Sequence, residues 1–173
     1  MSSNKTTMLE AALDYARQGL KVLPLCHPNE DGKCGCGPGW NHKGSVIGKA
    51  PRTRYGLRDA SSDPDQIRSW WGACPEANIG ILTGFENKFW VLDVDAKSGG
   101  LESLAELEQK HGKLTTAKNL TGGGGYHFKF KYPQDTKIPT KKVGKGIETR
   151  SDGAYIVAPP SLHVSGKRYI TDE

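Results

Sequence analysis

The chain has 173 residues, of which 25% are charged and 35% hydrophobic, the proportions of a folded globular domain and not of a disordered chain. No apolar run approaches the roughly 18–20 residues of a membrane span and no secretory leader pattern opens it, so the expectation is a cytoplasmic protein with no membrane partner. The net charge of +5 is unevenly spread: +4 over residues 1–60 (nine basic, five acidic), −4 over 61–113 (five, nine) and +5 over 114–173 (ten, five). Basic flanks around an acidic middle suit a polyanion held about a divalent-metal centre, although charge alone fits a solvated surface as well.

Residues 1–5 read as a tail. Thr7 and Glu10 have capping-box spacing, and Met8, Leu9, Ala12, Leu13 and Ala16 form the stripe of a first helix closed by Gly19. Leu20–Leu25 reads as a strand. Residues 26–48 form an insertion without helical or strand period. Asp63-Pro64 opens a second helix, expected to end near Trp71. Strands follow at Ile79–Leu82 and Phe89–Asp95, and a third helix carries Leu101, Leu104, Ala105 and Leu107 as far as Gly112. The remainder reads as strands: Lys118–Leu120, Tyr126–Tyr132, Ile147–Arg150 and Tyr155–Ala158, the last two joined by an Asp152-Gly153 hairpin turn.

Four groups of residues carry chemistry. Asp93 and Asp95, two apart on one strand, project to one face while Leu92 and Val94 face the core. Paired carboxylates repel unless a cation such as Mg²⁺ or Mn²⁺ neutralises them, though a strand running into a polar loop has the same pattern. The run Gly122–Gly125 before Tyr126-His127 permits close backbone approach to phosphate, and His127 shares a strand face with Lys129 and Lys131. Glu148 and Arg150 share another face, as a third carboxylate with a phosphate-pairing cation or as a plain ion pair. Cys26, Cys34, Cys36 and His42 supply thiols and an imidazole for a structural Zn²⁺, with His27 as the alternative to His42. Cys74 reads as a buried thiol and His111 as a surface residue.

These groups, with Leu23-Pro24-Leu25, Gly48-Lys49-Ala50-Pro51, Gly56–Ala60, Trp70-Trp71, Asn78–Ile81 with Thr83-Gly84, and Ala158-Pro159-Pro160-Ser161 with His163, stand in a specific order. In that order the chain resembles the primase-polymerase (Prim-Pol) branch of the archaeo-eukaryotic primase superfamily, from about Leu9 to Tyr169. The resemblance implies a mixed α+β fold, an RRM-like catalytic sheet beside an N-terminal α/β subdomain, with the zinc-binding insertion at residues 26–48. One domain would span residues 1–173, as the N-terminal part of a larger replication protein with a fused or separate helicase. The implied activity is template-dependent nucleotidyl transfer that makes and extends primers on single-stranded DNA from NTP or dNTP. Other readings are a zinc-containing single-stranded-DNA-binding module without catalysis and a metal-dependent nuclease or phosphohydrolase.

By the same resemblance Asp93, Asp95 and Glu148 bind two Mg²⁺ or Mn²⁺ ions and His127 meets the triphosphate. Gly123, Gly124, Gly125, Lys129, Arg150, Ser161 and His163 complete the nucleotide site. Lys49 and Arg52, with Arg54 and the Lys137–Lys145 group, are expected to meet template or nucleotide phosphates. Gly125 stands where the family often has Ser, and Glu148 where it often has Asp.

Overall fold

The computed structural model describes residues 6–172, so the tail expected over residues 1–5 lies outside the described residues. Helix α1 (Met8–Arg17) begins at the expected capping box: Thr7 Oγ1 accepts the Glu10 N–H at 3.2 Å and Glu10 Oε2 accepts the Thr7 N–H at 2.7 Å. Strand β1 (Val22–Leu25) follows, every residue buried. Asp63 caps α2 (Pro64–Ala73), which runs two residues beyond Trp71. Then come β2 (Asn78–Leu82), β3 (Phe89–Val94), α3 (Gly100–His111), β4 (Lys118–Leu120), β5 (Tyr126–Lys131), β6 (Lys141–Gly144), β7 (Ile147–Arg150), β8 (Tyr155–Ala158) and β9 (Ile170–Asp172). The strands β6 and β9 add to those expected.

All the strands pair antiparallel, in a three-stranded sheet of order β1-β2-β8 and a six-stranded sheet of order β6-β7-β3-β5-β4-β9. The domain is therefore mixed α+β. One face of the small sheet (Val22, Ile79, Ile81, Ile156, Ala158) packs with Ala11, Ala12, Ile67 and Trp71 of the first two helices. Its other face (Leu23, Leu25, Leu82, Val157) packs with Tyr169. Gly80 lies in the middle of this sheet, where a Cβ would meet the Leu23 side chain at 2.8 Å. Helix α3 covers one face of the large sheet, Leu104 packing on Val94, Phe128 and Ile147. The opposite face carries the charged residues.

The Asp152-Gly153 turn does not make a hairpin. The strands on either side, β7 and β8, belong to different sheets. Tertiary bonds hold this crossover: Asp152 Oδ1 accepts the Phe85 N–H at 2.8 Å, Oδ2 accepts the Tyr132 hydroxyl at 2.7 Å, and Thr83 Oγ1 donates to the Ser151 carbonyl at 2.8 Å. The chain thus passes directly from the charged face of one sheet to the small sheet beside it.

Candidate functional site

Antiparallel register places His127 of β5 and Glu148 of β7 directly opposite Asp93 of central β3, one on each side. Residues directly opposite share a face, so three strands distant in sequence present a histidine and two acids in one row. Strand β3 ends at Val94, so Asp95 does not extend the strand as expected. It caps a short 3₁₀ turn, Ala96–Ser98, accepting the Lys97 N–H at 3.0 Å and the Ser98 hydroxyl at 2.8 Å. Asp95 nevertheless lines the same cavity as Asp93, His127 and Glu148.

That cavity, of about 640 Å³, lies between the sheets and is also lined by Lys49, Lys97, Lys142, Lys145, Arg150, Tyr155, His163 and Tyr169. Arg150 pairs with Glu148, and its Nε lies 3.4 Å from Asp93 Oδ2, so the guanidinium stands between the two carboxylates. Burial raises the Asp93 carboxyl above the usual range despite the opposing charges of Arg150 and Lys49. His127 Nε2 is 3.6 Å from Asp93 Oδ1. Burial first, then the charges of Arg150, Lys129 and Lys49, lower His127 to about 3, so its imidazole is neutral at pH 7. Asp93, Asp95 and Glu148 thus line one cavity, while among the described residues the group whose ligand atoms converge within 4.8 Å is the cysteine–histidine cluster of the insertion.

The glycine run has a different physical basis from the phosphate cradle expected of it. The Gly124 N–H donates to the Thr121 carbonyl and the Gly125 N–H to Thr121 Oγ1, both at 3.0 Å, so neither amide is free for phosphate. Gly125 is small because a Cβ there would strike the Val94 carbonyl, and Gly124 adopts φ +86°. Gly122 is small because the His163 side chain lies against it. Gly123 remains at the cavity wall. His163 Nδ1 accepts the Ser165 N–H at 3.1 Å, while Ser165 Oγ donates to the Gly122 carbonyl at 2.8 Å.

Three other expected contacts lie elsewhere. Ser161 is fully buried, its Oγ accepting the Ile79 N–H at 2.9 Å, which keeps it out of the cavity. Lys129 sits one row beyond His127, opposite Val91, and does not line the cavity. Arg52 turns to the insertion: its Nη1 donates to the Cys36 carbonyl at 3.5 Å and its guanidinium lies 5.2 Å from the Trp40 ring centre. Sequence reasoning missed Tyr169, which lines the cavity. Asn119 of β4 stands directly opposite His127, buried and outside the cavity lining.

The ligand atoms of Cys26, Cys34, Cys36 and His42 all lie within 4.8 Å of one another, with Cys26 Sγ 3.3 Å from Cys34 Sγ and Cys34 Sγ 3.3 Å from His42 Nδ1. His27 takes no part. Its imidazole lies against Gly35, with Nε2 3.5 Å from Glu76 and Nδ1 3.8 Å from Cys74, so it latches the insertion to the α2–β2 connection. Cys74 is accordingly half-buried, while His111 is exposed. Burial raises the Cys26 and Cys36 thiols. At Cys34 burial is outweighed by hydrogen bonds from the Cys36 N–H and from neighbouring ligands, which bring it down to about 7. Three thiols and an imidazole so close together form a soft donor set that could hold Zn²⁺, which takes four such ligands.

Two carboxylates and a neutral imidazole thus stand in one row at the wall of a cavity that four lysines also line. The family follows from comparison with known proteins: residues 12–173 match the model of the N-terminal domain of bifunctional DNA primase/polymerase, Prim-Pol, and the chain belongs to that family. Membership points to a DNA primase/polymerase-type enzyme with DNA template and nucleotide substrates. The comparison with curated proteins gives no match. Among the described residues, no helix is long and apolar enough to cross a membrane.

Proposed function

We propose that the chain is a template-dependent nucleotidyltransferase that makes and extends primers on single-stranded DNA. The register that aligns His127, Asp93 and Glu148 beside Asp95 carries this reading, because it gathers acids and a hydrogen-bond donor to phosphate at one wall of a cationic cavity. Asp93, Asp95 and Glu148 would hold two Mg²⁺ or Mn²⁺ ions. Held there, such ions would supply acidification of a primer 3′-hydroxyl and neutralisation of charge on pyrophosphate. The protein's own groups do the rest. Arg150, which neutralises Asp93 and Glu148 in the free site, moves to the incoming phosphates. Neutral His127 donates from Nε2 to a phosphate oxygen, and Gly123 and His163 border the same space. Lys49, Lys97, Lys142 and Lys145 draw the polyanion in. No side chain attacks phosphorus, so the barrier falls through positioning and charge neutralisation.

The Cys26–His42 knuckle would hold one structural Zn²⁺, four protein ligands leaving no open position for catalysis. Arg52 and Trp40 fix its outer side against the segment that carries Lys49. Incubating the whole chain with single-stranded template, Mn²⁺ and labelled nucleotides tests the reading. Extended products support it. Degradation of template without synthesis points to a nuclease, and binding alone points to a catalytically inactive DNA-binding module; either result overturns it.

A further inference from the structure

Residues 32–58 hold Lys33, Lys43, Lys49, Arg52, Arg54 and Arg58 and no acid. Among the described residues none of these cations is in a salt bridge. The same stretch carries two large rings that the core leaves in water: Trp40 is 40% exposed and Tyr55 61%. Each lies under an arginine, Arg52 Cζ 5.2 Å from the Trp40 ring centre and Arg54 Cζ 5.2 Å from that of Tyr55. One exposed ring needs no explanation, but two of them, each beside a guanidinium in an acid-free run, form a pattern.

Backbone bonds fix this strip along β1, the outer strand of the small sheet. The Cys26 N–H donates to the Ala50 carbonyl at 2.7 Å and the Arg52 N–H to the Pro24 carbonyl at 2.9 Å, while Ser61 and Val22 exchange both bonds at 2.9 Å. Arg54 and Tyr55 stand in the loop between these anchors. Asp59, the acid that follows the run, is engaged within that loop, its Oδ2 accepting the Tyr55 N–H at 2.8 Å. At the other end Ser45, Ile47 and Lys49 line the cavity of Asp93 and Glu148. The chain from Lys49 to Tyr55 reaches at most about 20 Å, so the rings lie close to the cavity mouth.

We propose that the strip is a track for single-stranded nucleic acid: an unpaired strand leading from the cavity stacks bases on Trp40 and Tyr55 and lays its phosphates against Lys43, Arg54 and Arg58. Cations without neighbouring acids answer phosphate, and an exposed ring answers the face of a base. A duplex keeps its bases stacked on one another and would leave the rings unused. An acidic peptide would use the cations alone. That the strand leads from the cavity rests on the template-dependent reading given above, whereas its affinity for the strip does not.

Fluorescence anisotropy of labelled oligo(dT) with the whole chain, without nucleotide, Mg²⁺ or Mn²⁺, measures the track apart from the chemistry. Tyr55→Ala and Trp40→Ala should each weaken binding about tenfold, the effect of one lost base stack, while Tyr55→Phe stays within about twofold of wild type. Arg54→Gln should reduce the salt dependence, log Kd against log salt, by about 0.7, the share of one phosphate. Elemental analysis checks that Trp40→Ala keeps the zinc content of wild type; if it does not, Tyr55, outside the knuckle, carries the test. Unchanged affinity in Tyr55→Ala, an equal loss in Tyr55→Phe, or duplex DNA or poly-glutamate bound as tightly as oligo(dT) overturns the proposal. A chain that binds through both rings yet makes no product sustains the track and removes the nucleotidyltransferase. Synthesis with an affinity indifferent to both rings removes the track alone.

Discussion

The acid–histidine row and the Cys₃His knuckle both gather side chains able to hold a cation, by opposite means. Asp93, His127 and Glu148 come from three strands spread over residues 93–148, and backbone ladders hold them in place whether or not a ligand is present. The knuckle draws its four ligands from residues 26–42, while residues 37–41 and 43–46 around them are exposed and little packed. The row is a surface set by strand pairing, to which a cation would be added in the proposed function. The knuckle has too little apolar content to fold upon itself, so its order is expected to depend on a bound cation.

The sharpest way to break this contrast is to remove one member of each. Asp93→Asn should reduce nucleotide incorporation by about 10²–10³ or more while leaving the thermal unfolding curve near wild type, because the ladder and not the carboxylate holds β3. Near-normal incorporation in Mg²⁺ or Mn²⁺ would defeat the metal assignment. Each region also has a glycine pressed against a histidine. Gly35→Ala should strike His27 and Gly122→Ala should strike His163, each costing about 1–3 kcal/mol of stability. The first should weaken zinc retention, read by elemental analysis, and the second should raise the nucleotide KM. Cys34→Ser with Cys36→Ser should abolish a one-to-one zinc content and slow primer initiation about tenfold more than extension, with the sheet core unchanged by NMR. Full initiation in a demonstrably zinc-free variant would end the functional link between the regions.

The smallest effect concerns acid. His127 is lowered to about 3 when folded, against about 6.5 for the free side chain, so the unfolded chain binds more protons between those values. Its contribution to stability is complete above about pH 6.5 and declines as pH falls towards 3. Asp93, raised by burial, acts in the opposite sense and favours the folded state as it takes up its proton, which offsets part of the loss. Unfolding free energies from denaturant titration should therefore fall from pH 6.5 to 5 by less than about 1.4 kcal/mol per pH unit, and His127→Gln should flatten that slope. An unchanged slope would show that His127 is protonated in the fold.

Local chemistry made much of the fold legible. The Thr7–Glu10 box, the Asp63-Pro64 start and the alternation in β5 depend on neighbours in sequence, and the structure has them all. Strand β6 escaped notice because Lys141–Gly144 is an exposed edge with no apolar alternation, where lysines discourage further pairing. Asp152-Gly153 turns the chain but makes no hairpin, because which sheet receives the next strand is a tertiary matter. The glycine run illustrates the same limit: composition announces freedom of backbone, and only the surroundings show that Val94 and His163 use most of it. Arg52 lies in a basic run, but its contacts with Trp40 and the Cys36 carbonyl are tertiary and have no local sequence signal.

Strand parity sets how the two centres tolerate a change in chain length. Deleting one residue between Phe89 and Leu92 would turn Asp93 into the apolar layer under α3 and put Leu92 or Val94 at the cavity wall, so one lost codon exchanges the two faces of β3. No neighbouring residue could substitute, because every second position has the wrong chemistry. The stretch between Cys36 and His42 obeys no such rule. It can gain or lose a residue at Gly37–Gly39 and still bring His42 back to the thiols, so length variation is expected to accumulate in the insertion and to be excluded from β3, β5 and β7.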